Sequence, residues 1–326
     1  MRWMTYGAMA VGLLAACNGD KGEVTPTGET GDTDTTDPRC PNALLESFPE
    51  DGANGVYAWS SMDLLLSRSD AGATIVVTDD DGTEVTGSLV LTEEDKRLTW
   101  TPSGPMAAGA YTWTLEWTDC ETRTATFNVS DVGTTLIADP SSLIGKTYVL
   151  DLTESRFVAP ENIGEALTSQ LEVRLLLGVV DVDDDGVHFM AGAEELTGGS
   201  QSLDAPTTRF AEAADFSENP RFTGASDALG LVVEGDPITV TDLEMTGSFA
   251  ADGSAIEGFR MRTILDMRDL KDALDLEDDN GPCDLFSASF AVQCTACPNG
   301  AGDFCIDLVV ADLTLPDAGY TMVEVP

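Results

Sequence analysis

Residues 111–118 read YTWTLEWT, and this stretch decides the fold of the first half of the chain. Every second residue is large and apolar, and each residue between them is Thr or Glu. That period of two is typical of a strand with one face buried and the other in water. Residues 119–121 then predict a turn, and residues 124–129 repeat the alternation with Ala, Phe and Val inward. The two segments together predict an antiparallel hairpin.

Further short strands precede this hairpin. Residues 74–78 (TIVVT) and 83–90 lie on either side of residues 79–82. The Asp-Gly pair that ends this linking segment is a hairpin-turn signal, because it tolerates positive φ. Residues 98–100 add another short strand. Six or seven short strands in about 90 residues predict a β-sandwich.

Three segments of this region resemble the bacterial Ig-like domain of S-layer and other surface proteins. They are FPEDGANGV at 48–56, Thr-Pro at 101–102 and AGAYT at 108–112. The resemblance implies an Ig-like sandwich that serves as a spacer or a binding surface, without catalytic residues. The chain departs from that family in carrying Cys40 at the start and Cys120 in the last turn. We expect these two cysteines to form a disulfide.

The second half predicts a larger antiparallel β domain, either a barrel or a curved sheet, with a few short helices. Alternation recurs in six segments, and residues 252–253 form an Asp-Gly turn that would place Phe249 opposite Ile256. Helical spacing favours helices at 161–170 and 267–276. The predicted fold class is therefore mainly β, and the domain resembles only uncharacterised regions of bacterial lipoproteins. The alternating segments are 148–152, 171–179, 228–234, 238–249, 255–266 and 305–315.

The first 17 residues resemble the signal peptide of a bacterial lipoprotein. Residues 7–16 (GAMAVGLLAA) are uncharged and too few to cross a membrane as a helix, and LAAC at 14–17 resembles the lipobox. The resemblance implies cleavage before Cys17 and attachment of lipid to its thiol. The alternative is an ordinary signal peptide with Cys17 in a disulfide. Seven cysteines would then leave one unpaired, whereas lipid on Cys17 leaves six.

Residues 18–39 are rich in Thr, Gly and acidic residues, and Val24 is the only large apolar residue among them. Such a segment cannot bury enough surface to order itself, so we expect a tether. The predicted organisation is a signal peptide (1–16), a lipidated tether (17–39), an Ig-like domain (40–132) and a disulfide-linked β domain (133–326). The position after Cys17 is Asn18, whereas the signal for retention in the inner membrane has an aspartate there. The resemblance therefore favours an outer-membrane location, with the acyl chains on Cys17 as the anchor.

The charge balance excludes one class of partner. The chain has 16 Lys and Arg against 58 Asp and Glu, a formal net charge of −42. Nucleic-acid binding through a basic surface needs clustered Lys and Arg, so it is excluded. The acidity is explained either by solubility or by cation binding.

The last four cysteines admit a zinc reading and a disulfide reading. A four-cysteine zinc site usually has two CxxC pairs, and only Cys294 and Cys297 form one here, so disulfides are favoured. Three connectivities are open. The Asn-Gly turn at 299–300 would place Cys294 opposite Cys305, leaving Cys283 for Cys297.

Residues 181–186 match the opening of a calcium loop, with Asp181, Asp183 and Asp185 as candidate ligands. The twelfth position is Gly192 instead of Glu, and the flanking residues are strand-like. An EF-hand is therefore not expected. The two remaining readings are an acidic hairpin turn and a weak Ca²⁺ site, and no other cofactor is predicted.

Enzyme motifs are not found in the sequence. The single histidine, His188, excludes a zinc site made of two or three histidines, and no nucleophile-elbow, zincin or P-loop motif occurs. We therefore predict no catalytic residues. A carboxylate-based glycoside hydrolase is the remaining enzymatic alternative, because paired acids cannot be recognised among 58 of them.

Three functions remain open. The first is a non-enzymatic lipoprotein in which an Ig-like spacer presents the second domain for adhesion, or for binding a protein or an envelope polymer. The second is a lipoprotein whose second domain encloses an apolar ligand or a lipid. The third is the envelope glycoside hydrolase. An enclosed apolar cavity would favour the second function over the other two.

Overall fold

The structure is a computed structural model. This structure describes residues 40–326 apart from 93, 132, 161–162, 165–166, 168–173, 196–198 and 234–235. The predicted lipid site at Cys17 and the predicted tether lie outside the described residues. The described residues form two large hydrophobic cores, one within residues 56–129 and the other within residues 137–315, and a small third cluster of Leu176, Met190 and Met322. None of the helices in the described part of the chain is long and apolar enough to cross a membrane.

The first core lies between two four-stranded sheets, ordered β1-β3-β6-β5 and β2-β8-β7-β4. This order matches the A-B-E-D and C-F-G sheets of immunoglobulin domains, with β2 added beside the last strand. The predicted Ig-like sandwich is therefore confirmed as a fold. Its strands are β1 (Leu44–Phe48), β2 (Ala53–Val56), β3 (Met62–Leu66), β4 (Thr74–Asp79), β5 (Gly87–Thr92), β6 (Arg97–Pro102), β7 (Gly109–Glu116) and β8 (Arg123–Val129).

The stretch YTWTLEWT forms most of β7, and its alternation is observed as predicted. Tyr111, Trp113 and Leu115 are buried, and the indole N–H of Trp113 donates to the backbone oxygen of Pro49 at 3.0 Å. The hydroxyl of Tyr111 donates to the backbone oxygen of Ala107 at 2.9 Å. This last bond is the tyrosine corner of immunoglobulin-like sandwiches, which the sequence analysis did not anticipate.

The predicted hairpin around residues 79–82 is only partly correct. The turn forms, and the N–H of Val85 still donates to the oxygen of Val77 at 2.8 Å. The chain then crosses to the other sheet, so β4 and β5 are not neighbours. Gly87 permits this crossing, because a Cβ there would lie 2.3 Å from ring carbons of Trp100. The local turn signal could not show which sheet the second strand would join.

The second core lies between a four-stranded sheet (β13-β12-β11-β9) and a five-stranded sheet (β10-β17-β16-β15-β14). Of the two predicted forms, curved sheets occur and the barrel does not, since neither sheet closes on itself within the described residues. The strands are β9 (Thr147–Asp151), β10 (Arg156–Ala159), β11 (Arg174–Asp183), β12 (Gly186–Ala193), β13 (Thr208–Arg209), β14 (Arg221–Val233), β15 (Asp236–Phe249), β16 (Ala255–Asp266) and β17 (Cys305–Pro316).

One predicted register is confirmed in this domain. Phe249 of β15 lies opposite Ile256 of β16, across the turn that contains Gly253 at a φ of +68°. Both residues are fully buried. The turn is longer than the predicted two residues, because the Ala250 N–H donates to the oxygen of Ala255 at 2.9 Å and the Gly253 N–H to the oxygen of Ala250 at 2.7 Å. The register that it closes still sets which face of each strand enters the core.

The helix predictions succeed only in part. The prediction for 161–170 lies mostly outside the described residues, and Ile163, Gly164 and Leu167 are helical. The prediction for 267–276 is wrong as an α-helix, because only Met267–Leu270 forms one turn of 3-10 helix. The α-helix of this region is α1 (Gly281–Phe290), which was missed. It carries Pro282 in its first turn and buries only Pro282 and Phe286, so it has no clear amphipathic stripe.

The three disulfides confirm one predicted pair and correct two. Cys40 bonds to Cys120 as expected. The other bonds are Cys283–Cys294 and Cys297–Cys305, instead of the predicted Cys283–Cys297 and Cys294–Cys305.

The cause of this error is a one-residue register shift. Thr295, not Cys294, exchanges both backbone hydrogen bonds with Cys305, at 2.7 and 3.0 Å. Nearer the turn the N–H of Cys297 donates to the oxygen of Gly302, so the returning strand contains one extra residue. A shift of one residue turns a side chain to the opposite face. Cys294 therefore meets Cys283 of α1.

Candidate functional site

An apolar cavity of about 100 Å³ lies between the two sheets of the second sandwich. Its walls include the last residues of β9, the first residues of β11 and residues along much of β15, β16 and β17. The cavity therefore extends along the interior of the sandwich. Leucines dominate the lining, among them Leu150, Leu175, Leu177, Leu229, Leu265 and Leu308.

The remainder of the same core is filled by aromatic rings. The ring centroid of Phe222 lies 5.1 Å from that of Phe189 and 5.2 Å from that of Phe249. Tyr148 and Phe216 each pack on Phe249 at 5.7 Å. The cavity is lined mainly by aliphatic side chains, although Phe210 and Phe259 also contribute to its wall.

The cavity wall has almost no hydrogen-bonding capacity. Its two hydroxyl-bearing residues are Thr153 and Thr263. Thr263 donates to the backbone oxygen of Thr241 at 3.0 Å, and Thr153 donates to the carboxylate of Asp151 at 2.6 Å. A water molecule needs two to four polar partners, so this space suits hydrocarbon better than water. An engineered apolar cavity of about 150 Å³ stays dry and binds benzene.

The cavity approaches the surface beside Thr153. This residue is exposed and Leu152 is half-buried, whereas the leucines named above are buried. The Asp151 carboxylate also accepts a hydrogen bond from the Thr153 N–H at 2.9 Å and forms an ion pair with Arg174 at 3.1 Å. Arg174 in turn lies 3.7 Å from the carboxylate of Glu194. Asp151 and Arg174 are direct partners in the ladder and lie on the outer face of the four-stranded sheet, since their neighbours Leu150 and Leu175 face the cavity.

A disulfide-linked segment contributes to the cavity wall. Leu270 of the 3-10 turn lines the cavity, and Leu274 and Leu285 pack against the same core. The Cys283–Cys294 bond holds α1 to the following loop, and Cys297–Cys305 joins that loop to the first residue of β17. These covalent links hold the segment in place beside the cavity.

The predicted calcium ligands are exposed acidic residues around one hairpin. Asp181 and Asp183 lie at the end of β11, and Asp185 lies in the turn before β12. Among the described residues, these carboxylates do not converge as a group of three. Each is exposed, and the N–H of Asp185 and the ring of His188 hold the pKa of Asp183 below its usual value. The hairpin-turn reading is the one that the geometry supports.

One other group of potential ligands is consumed by covalent chemistry. Asp266, Cys297 and Cys305 bring a carboxylate oxygen and two sulfurs within 4.8 Å of one another. Both sulfurs belong to one disulfide, and Asp266 pairs with Arg268. The zinc reading of the last four cysteines is therefore wrong, since all four are bonded in pairs.

His188 forms no catalytic arrangement within the described part of the chain. Its Nε2 lies 3.1 Å from Asp183 Oδ2, and the pair is half-exposed on β12 and the adjoining turn. The described hydrogen bonds connect this ring to no serine or threonine hydroxyl. The pair therefore lacks a nucleophile.

A second, charged cleft of about 620 Å³ lies between the two sandwiches. Glu46, Glu50, Asp63, Arg97 and Arg156 contribute its charged side chains. Asp63 is 2% exposed and accepts hydrogen bonds from Thr99 and Arg156, so this carboxylate is committed to the structure. The ion pair between Asp63 and Arg156 therefore joins the two sandwiches at this cleft.

Sequence reasoning did not find the cavity. The strands that line it were predicted, with Leu175 and Leu177 on one face of β11 and Leu150 on the inner face of β9. No local signal marks the cavity, because its lining residues come from several strands and which of them oppose each other depends on sheet order.

Comparisons with known proteins give little further information. No family model matches the chain, and no curated protein does. Among solved structures, CopC from Methylosinus trichosporium OB3b is 18% identical with a TM-score of 0.25, over 27% of this chain and 93% of CopC. PcoC, a methionine-rich copper resistance protein from Escherichia coli, is 20% identical with a TM-score of 0.24, over 27% of this chain and 98% of PcoC.

A third likeness covers more of the chain. The N-terminal Ig1-2 module of the Drosophila receptor protein tyrosine phosphatase DLAR is 13% identical with a TM-score of 0.22. The alignment spans 52% of this chain and 97% of that module. At these identities and TM-scores the likenesses carry no argument about what the protein binds.

Proposed function

We propose that the protein is a non-enzymatic binding protein of the bacterial envelope, whose second sandwich holds a small apolar group between its sheets. The observation that carries the proposal is the apolar cavity, lined mainly by leucines, within that core. Native cores are close-packed and rarely contain voids larger than a water molecule, and packing defects reduce stability. A cavity of this volume is therefore best explained by an occupant.

In this proposal the Ig-like sandwich supports the binding domain. Tyr57 of the first sandwich hydrogen-bonds through its hydroxyl to Ser248 of β15, and Ser60 donates to Asp312 of β17 at 2.9 Å. These contacts make the first sandwich a rigid support. The adhesion function that the sequence favoured shares this spacer role, but only the cavity is a specific feature of the binding domain.

The location in the proposal comes from the sequence and the disulfides. Three disulfides are compatible with an exported protein, because such bonds persist in oxidising compartments. Lipid on Cys17 would then hold the protein at the outer membrane, with the binding domain above the surface.

The experiment fills the cavity and measures ligand binding. Ala191 is buried, lies on β12 and lines the cavity, so Ala191→Ile should occupy the space. Isothermal titration calorimetry of the unacylated mature chain with benzene should show binding to the wild type and none to Ala191→Ile. Ala225→Ile, at an exposed position of β14, is the matched control and should bind as the wild type does. Equal binding by Ala191→Ile, or none by the wild type, would refute the proposal.

A further inference from the structure

The segment that follows β17 lies on the outer face of the four-stranded sheet of the second sandwich. It comprises residues 319–326, which read GYTMVEVP. Of these residues, all of which the structure describes, only Met322 is buried. Its side chain packs with Leu176 of β11 and Met190 of β12, and its N–H donates to Thr147 Oγ1 at 3.0 Å. The segment is therefore attached through one apolar anchor.

Two glycines of the sheet make room for that anchor. A Cβ at Gly192 would lie 2.9 Å from Met322 Sδ, and a Cβ at Gly178 would lie 3.0 Å from Met322 Cε. In the ladder Gly192 is opposite Leu176 and Gly178 is opposite Met190, so all four residues share the outer face. Glycine inside a strand often marks a close approach by another chain segment. We call this hollow the Met322 seat.

The backbone of the segment is bound by groups beside the seat. The buried amide of Gln201 donates from Nε2 to the oxygen of Val323 at 2.7 Å, and its Oε1 accepts from the Val323 N–H at 2.8 Å. Thr207 donates its N–H to the oxygen of Val325 and accepts the Val325 N–H at Oγ1, both at 2.9 Å. Backbone hydrogen bonds beside a side-chain pocket are the usual means of recognising an extended peptide.

A charge at the rim matches the same peptide. Arg209 Nη2 lies 2.9 Å from Glu324 Oε2, and its Nε lies 3.2 Å from Oε1. Both side chains are more than half exposed, so this pair adds orientation more than affinity. The face is thus complementary to an extended peptide with methionine at one position and a carboxylate two residues later.

The link between β17 and the segment allows the segment to leave the seat. The N–H of Ala318 donates to the oxygen of Thr147 at 2.7 Å, which fixes the chain up to that residue. Gly319 is exposed and has a φ of +76°. From Gly319 to Pro326 an extended chain spans about 26 Å. Segments with few buried apolar contacts open locally at low cost in free energy.

We infer that the Met322 seat also receives residues 319–326 of a second copy of this chain, so that copies associate by exchanging this segment. The occupant follows from the fit, because the seat, the Gln201 amide and Arg209 match this peptide. Each contact made within one copy forms equally between two, as in other exchanges of identical elements. The net charge of −42 opposes the approach of a second copy, so association is favoured at about 0.15 M salt, where charges act over about 8 Å.

Two complementary variants of the unacylated mature chain test the inference. Gly192→Val fills the seat, so its own segment is released and its seat is closed. Met322→Ala keeps an open seat and removes the anchor of its own segment. Light scattering should show each variant alone as a monomer and an equimolar mixture as a complex of one copy of each. A mixture that stays monomeric, or equal association by either variant alone, would overturn the inference.

Gly230→Val is the matched control for the blocked seat, because Gly230 is an exposed glycine of β14 where a Cβ would meet only Thr208 Oγ1, at 3.7 Å. Mixed with Met322→Ala, it should form no more complex than the wild type does. Equal complex formation by Gly230→Val and Gly192→Val would show that the seat has no part in the association.

A labelled peptide guards against a variant that folds poorly, and the melting temperature of each variant reports its folding. Fluorescence anisotropy with a peptide of residues 319–326 should give a dissociation constant at least about tenfold lower for Met322→Ala than for the wild type, whose seat is already occupied. The same peptide with Met322→Asp should not bind. Failure of the unaltered peptide to bind folded Met322→Ala would refute the inference.

Discussion

Arg156 of the second sandwich donates from Nη2 to Asp63 Oδ2 of the first sandwich over 2.9 Å. The same guanidinium pairs with Asp312 and lies 4.0 Å from the ring centre of Phe48. Burial lowers the pKa of Arg156, but the carboxylates of Asp312 and Asp63 outweigh it, and the pKa lies above its ordinary value. The side chain is therefore a permanently charged link between the two sandwiches.

Replacing this link should be costly. Arg156→Ala leaves Asp63 and Asp312 without their cation in a protected site, so the free energy of unfolding should fall by about 3–5 kcal/mol. Arg262→Ala is the control, because Arg262 pairs with Asp307 at a site where both side chains are about half exposed. That variant should lose less than about 1 kcal/mol. Urea denaturation measures both, and equal losses would show that Arg156 is not a special contact.

Asp70 should make the first sandwich sensitive to acid. Burial raises the pKa of this carboxyl, but hydrogen bonds from Thr118 and Gly72 outweigh that effect and hold the pKa below its ordinary value. A lowered pKa means that the stabilisation is present above the ordinary aspartate pKa and is lost as the pH falls through the folded value. Asp70→Asn should therefore flatten the rise of the urea midpoint between acidic and neutral pH.

Asp80→Asn provides the comparison for that experiment, since Asp80 is exposed in the turn after β4. Its pH profile should follow the wild type. A wild-type profile for Asp70→Asn would mean that these hydrogen bonds do not favour the ionised carboxylate.

The three disulfides should differ in their contribution to stability. Cys40 and Cys120 are separated by 80 residues, and Cys297 and Cys305 by 8. In the chain-entropy account, removing the first bond costs about 4.5 kcal/mol and removing the second about 2.5 kcal/mol. Double Cys→Ser variants, compared by denaturation, should show this order. The reverse order would mean that packing, and not loop length, decides the effect.

Lipid on Cys17 is a prediction that a mass measurement can decide. The native product from the membrane fraction should begin at residue 17 and carry the added mass of acyl chains. Cys17→Ser should move the protein out of that fraction. A native N-terminus at Met1, or an unmodified Cys17, would remove both the anchor and the proposed location.

Local patterns made much of the fold predictable. The alternation in β7 and the turn between Phe249 and Ile256 involve residues close in sequence, and the strand period of two sets which side chains are buried. The pairing of Cys40 with Cys120 was also predicted, because Cys40 begins the first domain and Cys120 lies in its last turn. The acidic turn at 181–186 was likewise recognised as an alternative to a calcium loop.

Other features depend on residues far apart in the chain. The ring of Tyr57 enters the second sandwich where Gly258, at a φ of +58°, has no Cβ, since a Cβ there would lie 1.9 Å from the ring. The bond between Cys283 and Cys294 follows from a register shift that no turn signal announces. Neither feature has a local pattern in the sequence.

The sequence by itself determined that this protein is built from half-buried strands, because burial on one face requires an apolar residue at every second position. Only the tertiary structure decided where the strands meet. The cavity exists because Leu150 and Leu177 of one sheet and Leu265 of the other line the same space without filling it, whereas Phe222 and Phe249 pack against each other elsewhere in the core. Packing volume depends on which side chains oppose each other in space, and that depends on sheet order and register.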